Sequence, residues 1–180
     1  MALVARSHLQ TGQRVLIHGG SGVVGSCAVQ LAKQIGAYVF ATASRQRLEE
    51  IKALGADEVI DYKTQKFEDI ARDLDLVLDT QGGETRERSW ALLKPGGILA
   101  TLLPPIPDEE TARKYGVQAF MVHGHPRIGD IMPDMTHRLE TGKLKFPEIA
   151  ARFPLQEASQ AHASYEAHSP RGRIVLDSTC

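Results

Sequence analysis

Several features that mark protein classes are scarce in this sequence. Cysteine is nearly absent: Cys27 and Cys180 are the only two in 180 residues, too few and too far apart for a disulfide framework or a paired-thiol zinc knuckle. Neither charge is in surplus, with 21 Lys and Arg against 22 Asp and Glu and a net charge of −1. That excludes a strong global field for nucleic acid or an anionic membrane, so any phosphate must be recognised locally. No apolar run approaches the ~18 residues that span a bilayer. The opening Met1 to Gln10 lacks a basic stretch leading into a long apolar one, so no secretory leader is expected. The expectation is a reduced, cytoplasmic protein with neither a membrane nor a nucleic-acid partner. General disorder is excluded as well, because 42% of the residues are hydrophobic and 24% charged, ordinary values for a chain with a core.

What is present is an alternation of short β-rich runs with helical segments, the pattern of a parallel sheet covered by helices. Arg14 to His18 reads as the first strand, and Val23 to Ile35 as a helix with Gly36 at its C-cap. Tyr38 to Thr42 is a second strand, Arg45 to Leu54 a second helix, and Glu58 to Ile60 a short third strand. Leu74 to Asp79 is a fourth strand and Glu84 to Leu93 a helix. Lys94-Pro-Gly-Gly97 is a turn before a fifth strand at Ile98 to Leu102. Leu103 to Gly116, rich in proline and acid, reads as a surface loop with a helical turn. Val117 to Val122 is a sixth strand, and Ile128 to Thr141 has helical spacing that Pro133 is expected to interrupt or kink. A helix from about Gln156 to Tyr165 and a strand at Arg173 to Leu176 follow. The fold expected is α/β, a doubly wound parallel sheet of about six strands with helices on both faces. Residues 1–150 form its main domain and 151–180 a C-terminal appendage.

The most informative stretch is His18-Gly-Gly-Ser-Gly-Val-Val-Gly25, between a strand and a helix. Gly20, Gly22 and Gly25 satisfy G-x-G-x-x-G in the context that gives the motif meaning. Glycines permit a tight turn and let a pyrophosphate approach the backbone, while the helix N-terminus offers unpaired N–H groups and partial positive charge. The last glycine lets the helix pack close to the sheet. A P-loop is excluded because Ser26-Cys27 stands where Lys-Ser/Thr is required. A nucleophile elbow around Ser21 is excluded because Val23 takes the final glycine position. The residues thus point to a Rossmann-type dinucleotide site at Gly20, Ser21, Gly22, Val23, Val24 and Gly25.

The end of the second strand selects between dinucleotides. An NAD site places a carboxylate about 20 residues after the glycines, to accept from the ribose 2′-OH. Here Ala41 to Arg47 has no carboxylate and carries Ser44, Arg45 and Arg47. Two arginines at a helix start oppose its dipole unless an anion is there to meet them, so NADP(H) is the expected cofactor.

Taken in order, Gly12 to Ser26, Ala28 to Lys33, Leu54-Gly-Ala-Asp57, Asp79-Thr-Gln-Gly-Gly-Glu84, Leu92-Leu-Lys-Pro-Gly-Gly97 and Gly172 to Leu176 resemble the medium-chain dehydrogenases/reductases. More narrowly, they resemble the zinc-independent quinone oxidoreductase branch. Two positions depart from that pattern: the family commonly has Ala at Gly20 and Gly at Val23, where the larger side chain tightens approach to the backbone. The resemblance implies hydride transfer from NADPH to a quinone or an α,β-unsaturated carbonyl. It assigns Ser44, Arg47 and Tyr62 to a 2′-phosphate, with Arg45 as competitor for Arg47. Thr80, Gln81, Leu102, Leu103, Phe120 and Val122 become neighbours of the adenosine and nicotinamide. It also implies a GroES-like catalytic domain before this one, toward which Phe153 to Leu176 would return, and a homodimer joined along Val117 to Val122.

Other chemistry is weaker. His123 and His125 could share a metal with His137, but their number and spacing favour solvated loop histidines, so no metal site is expected. Cys27 reads as a packed residue, and Asp79 as a residue that orients a loop. No catalytic acid or base is expected within the chain. Two classes stay open, an oxidoreductase completed by a further domain and a non-catalytic NADP(H)-binding or sensor module. A zinc-dependent alcohol dehydrogenase fragment is a weaker third.

Overall fold

The computed structural model describes residues 7–122, 128–167 and 172–178; His123, His125 and Cys180 lie outside them. The chain divides into two units, Met1–Leu144 and Lys145–Cys180. In the first, β1 (Arg14–Ile17), β2 (Tyr38–Ala43), β3 (Glu58–Asp61), β4 (Leu74–Asp79), β5 (Leu93–Thr101) and β6 (Gln118–Met121) form one sheet. Its order is β3-β2-β1-β4-β5-β6 and every pairing is parallel. Helices α1 (Val23–Ile35), α2 (Leu48–Ala53), α3 (Phe67–Ile70), α4 (Gly83–Ser89) and α5 (Glu109–Tyr115) supply the crossovers, and α6 (Met132–Glu140) follows β6. This is the doubly wound α/β architecture read from the sequence.

The strands are continuous apolar runs because both faces of the sheet are covered. Val15, Ile17, Val39, Ala41, Leu76 and Leu78 face one layer, where Ala28, Val29 and Ala32 of α1 and Ile51 of α2 complete the core. Their alternate neighbours Leu16, Phe40, Val77 and Leu99 face the other, against Phe67, Trp90, Leu92 and Ala112. The period of two along each strand separates the two layers.

Several elements differ in detail from the sequence reading. The second helix begins as a 3₁₀ turn, Arg45–Arg47, before α2, and a 3₁₀ turn at Trp90–Leu92 closes α4. The Lys94–Gly97 turn is a bulge inside β5, because Leu74 pairs with Leu93 while Leu76 pairs with Ile98. Pro133 does not kink a helix: α6 starts at Met132, so the proline sits in the first turn, where its missing N–H costs nothing. The proline-rich loop contains α5, capped by Asp108, whose carboxylate accepts from Thr111 N–H at 2.7 Å. Short α3 escaped the periodic reading, although its Phe67 is a buried core residue.

The second unit pairs β7 (Ile149–Pro154) with β8 (Arg173–Asp177) in parallel, connected through α7 (Ala158–Glu166).

Candidate functional site

After β1, residues His18 to Gly22 turn the chain into α1. Gly19 N–H donates to Thr42 Oγ1 at 3.0 Å and Gly20 N–H to the Thr42 carbonyl at 2.8 Å, fastening the loop to the end of β2. Gly22 N–H donates to the Gly19 carbonyl at 3.0 Å. A Cβ on Gly25 would overlap the Gly19 carbonyl oxygen and stand 2.8 Å from its carbon and 2.9 Å from Gly20 Cα. All three are backbone atoms with no room to yield, so the last glycine is required by the approach of helix to loop.

Gly22 is different. Its φ of −74° and ψ of 168° suit any residue, and a Cβ there would meet nothing nearer than the Gly19 oxygen at 3.4 Å. Folding alone therefore does not demand glycine at this position, whereas a ligand approaching the backbone would. Gly22 also leaves α1 without a side-chain cap, and the first turn holds no acidic residue. The helix N-terminus thus presents its N–H groups and partial charge without an internal anion. Val23 and Val24, at 45% and 50% exposure, stand on that first turn, and Ser21 is half-buried in the loop before it.

Behind the loop lies a group that the sequence reading did not single out. His18 is fully buried, and burial depresses its pKa to about 4, against opposing pulls from Asp79 and Glu68. Ser89 Oγ donates to the Thr85 carbonyl at 2.7 Å and so accepts from His18 Nε2 at 2.8 Å. Nδ1 then faces Thr42 Oγ1 at 3.5 Å, the hydroxyl that receives Gly19 N–H. A neutral imidazole therefore ties the glycine loop to α4. A histidine ending an apolar strand was the available signal.

At the end of β2, Ser44 precedes the 3₁₀ turn, Arg45 is exposed and Arg47 is half-buried. Arg47 Nη2 lies 2.6 Å from Glu50 Oε1, and its Nε is buried without a partner. Tyr62 follows β3, the neighbouring strand, and is 56% exposed.

On the other side of β1, Thr80 Oγ1 donates to the His18 carbonyl at 2.8 Å, and Gln81 is exposed beside it. Buried Asp79 shapes this turn. Its Oδ1 accepts from Gln81 N–H and Gly82 N–H at 2.9 and 2.8 Å, while Oδ2 accepts from Thr101 Oγ1 at 2.8 Å. Asp79 orients a loop, as read from the sequence. Leu102 and Leu103 follow β5. Arg86, only 4% exposed, holds that loop by donating from Nη1 to the Leu103 and Pro105 carbonyls at 3.3 and 2.7 Å. Nothing in the sequence distinguished Arg86 from a surface arginine. Phe120 in β6 and Val122 just after it pack beside the core.

The glycine loop, Ser44, Tyr62, Thr80, Gln81, Leu102, Leu103, Phe120 and Val122 all lie at the carboxyl ends of the strands or just after them. Parallel registers bring those ends level: Ile17 pairs with Ala41 and Leu78, Ala43 with Asp61, and Asp79 with Thr101. The chain order reverses between β1 and β4, beside the glycine loop, and such a switch point is where sheets of this kind bind ligands. The arrangement can take an extended ligand with a central anion. Metal chemistry has no comparable support: among the described residues no group of three or more His, Cys, Asp and Glu could hold an ion.

A family model described as zinc-binding dehydrogenase matches residues 54–176. The chain belongs to the zinc-binding dehydrogenase family. It lies among the medium-chain dehydrogenases/reductases that its motifs resemble. The zinc of the family's name finds no donor set among the described residues. A model for the C-terminal domain of alanine dehydrogenase/PNT also matches residues 1–82. This zinc-binding dehydrogenase chain is similar to the mitochondrial NAD(P)H oxidoreductase RTN4IP1 of Danio rerio, with 44% identity over 91% of this chain and 49% of that protein. It is 29% identical to the chloroplastic NADPH-dependent alkenal/one oxidoreductase of Arabidopsis thaliana, over 96% of this chain and 42% of that one. The solved quinone oxidoreductase of Coxiella burnetii superposes with a TM-score of 0.84 at 33% identity, over 97% of this chain and 55% of its own. The chain thus spans about half the length of these relatives. Among the described residues no helix is long and apolar enough to cross a membrane.

Proposed function

We propose that this chain is the NADP(H)-binding domain of an oxidoreductase that transfers hydride from NADPH to a quinone or an α,β-unsaturated carbonyl. The observation that carries the reading is the glycine loop itself. Gly25 is dictated by packing, while Gly22 is left unexplained by packing and stands before an uncapped helix N-terminus. The loop Gly20 to Gly25 takes the pyrophosphate, with the N–H groups of Val23, Val24 and Gly25, which precede the first intrahelical bond from Ser26 N–H to the Gly22 carbonyl, as its donors. Ser44, Arg47 and Tyr62 surround the 2′-phosphate, and the partly exposed guanidinium of Arg47 offers charge-assisted donors there. Thr80, Gln81, Leu102, Leu103, Phe120 and Val122 line the path toward the nicotinamide along the ends of β4, β5 and β6. The nicotinamide supplies the hydride; the residues of this chain bind and orient it and exclude water from one side. Close positioning of an acceptor contributes ~7–11 kcal/mol to such a reaction. A second wall is needed for that, so the chain alone binds NADPH without enzyme-like turnover.

Titration with NADPH and NADH tests the reading. Arg47→Ala removes a charge-assisted contact of ~1.5–3 kcal/mol, or roughly 10- to 150-fold in affinity. The loss falls on NADPH and spares NADH. Equal losses for both cofactors would make Arg47 a support of the fold, and no loss for either would remove it from the site.

A homodimer fits the same reading. β6 ends the strand order, and an edge strand of this composition calls for pairing; a second copy added along Gln118–Met121 supplies it. A monomer by light scattering at micromolar concentration would overturn this.

A further inference from the structure

The carboxylate missing from the end of β2 returns one turn later. Glu50 stands in the first turn of α2, three residues beyond Arg47, and its Oε1 lies 2.6 Å from Arg47 Nη2. Arg47 is the less exposed partner, at 21% of its side chain against 43% for Glu50. The guanidinium is thus already held by an internal anion that solvent reaches more easily than it reaches the arginine. We propose that Glu50 is a specificity-determining residue: it competes with the 2′-phosphate for Arg47 and offers an acceptor to a free ribose 2′-OH. This rests on the dinucleotide reading above.

A 2′-phosphate brings between one and two negative charges, and to reach Arg47 it must displace Glu50 or sit beside it. Either way NADPH bears a cost that NADH does not. An unphosphorylated ribose instead presents a hydroxyl donor, which a carboxylate accepts. The single pair Arg47–Glu50 therefore holds one recognition element for each cofactor, and Glu50 narrows the preference that Arg47 creates. The effect is modest because Glu50 is partly solvated.

Glu50→Gln and Glu50→Lys in the full chain, titrated with NADPH and with NADH, test this. The expected result is a rise of about two- to fivefold in the ratio of the NADH to the NADPH dissociation constant for Glu50→Gln. A larger rise is expected for Glu50→Lys, and both should shrink as salt is added. An unchanged ratio in both variants, with wild type binding both cofactors, would overturn the role of Glu50 and leave the dinucleotide reading standing. Equal changes for the two cofactors would do the same. Wild type binding neither would overturn both. Glu50 is half in solvent and outside the core, and the melting temperature of each variant shows whether it folds.

Discussion

Replacing Gly22 and Gly25 one at a time by alanine separates what the fold needs from what a ligand needs. At Gly22 the backbone is already extended and the new methyl would touch only the Gly19 oxygen at ordinary distance. Alanine there gains ~0.4–1 kcal/mol by restricting the unfolded chain and loses a comparable ~0.5–1.5 kcal/mol as a poorer helix N-cap. The melting temperature should move by no more than about 2–4 °C, the equivalent of ~1 kcal/mol at this size. At Gly25 the methyl would be driven into backbone atoms on two sides. Overpacking of that kind costs ~1–3 kcal/mol, and alanine's helix propensity returns at most ~1. Gly25→Ala should therefore lower the melting temperature, and with it NADPH affinity, because the loop must move. Gly22→Ala should keep the fold and still weaken NADPH and NADH alike, by roughly 5- to 150-fold, if a methyl crowding the pyrophosphate costs the same ~1–3 kcal/mol. Thermal melts and cofactor titrations of the two variants measure this. A stable Gly22→Ala protein that binds NADPH as tightly as wild type would refute the reasoning, and the loop would be a strand-to-helix turn without a ligand.

Two further predictions concern buried polar groups. His18, with its pKa lowered to about 4 by burial, stays neutral while the unfolded chain takes up a proton near pH 6.5. Its contribution to stability is complete above pH 6.5 and is lost as pH falls toward 4, by about 3 kcal/mol at most. The stability gap between wild type and His18→Gln, followed by urea unfolding, should narrow over that window; a constant gap would show that His18 does not carry the dependence. Asp79→Ala strips the acceptor from two backbone N–H groups and the Thr101 hydroxyl, a cost of roughly 2–5 kcal/mol. Asp79→Asn, which keeps an acceptor oxygen, should recover part of it, and equal melting temperatures for the two variants would argue against the capping role.

The local pattern of residues was enough to determine the architecture. Apolar runs of four to six residues, as in β1, β2 and β4, alternating with helix-spaced segments can be buried on both faces only in a parallel sheet with helices on each side. The glycine spacing in that context placed the loop, and Gly36, with φ of 90°, marked the end of α1. Elements with weak periodicity were harder to read. α3 is a single turn, and the bulge in β5 follows from its register against β4 rather than from Lys94–Gly97 alone. The polar wiring was decided only by the tertiary structure, because its partners are far apart in the chain. His18 meets Ser89 across 71 positions and Asp79 meets Thr101 across 22. Arg86 finds the carbonyls of Leu103 and Pro105 through the packing of α4 beneath the loop that follows β5. The same holds at the end of β2. The sequence displayed two arginines and no carboxylate within Ala41 to Arg47. The helical rise that sets Glu50 against Arg47 supplied the missing charge, since residues three apart on a helix share a face.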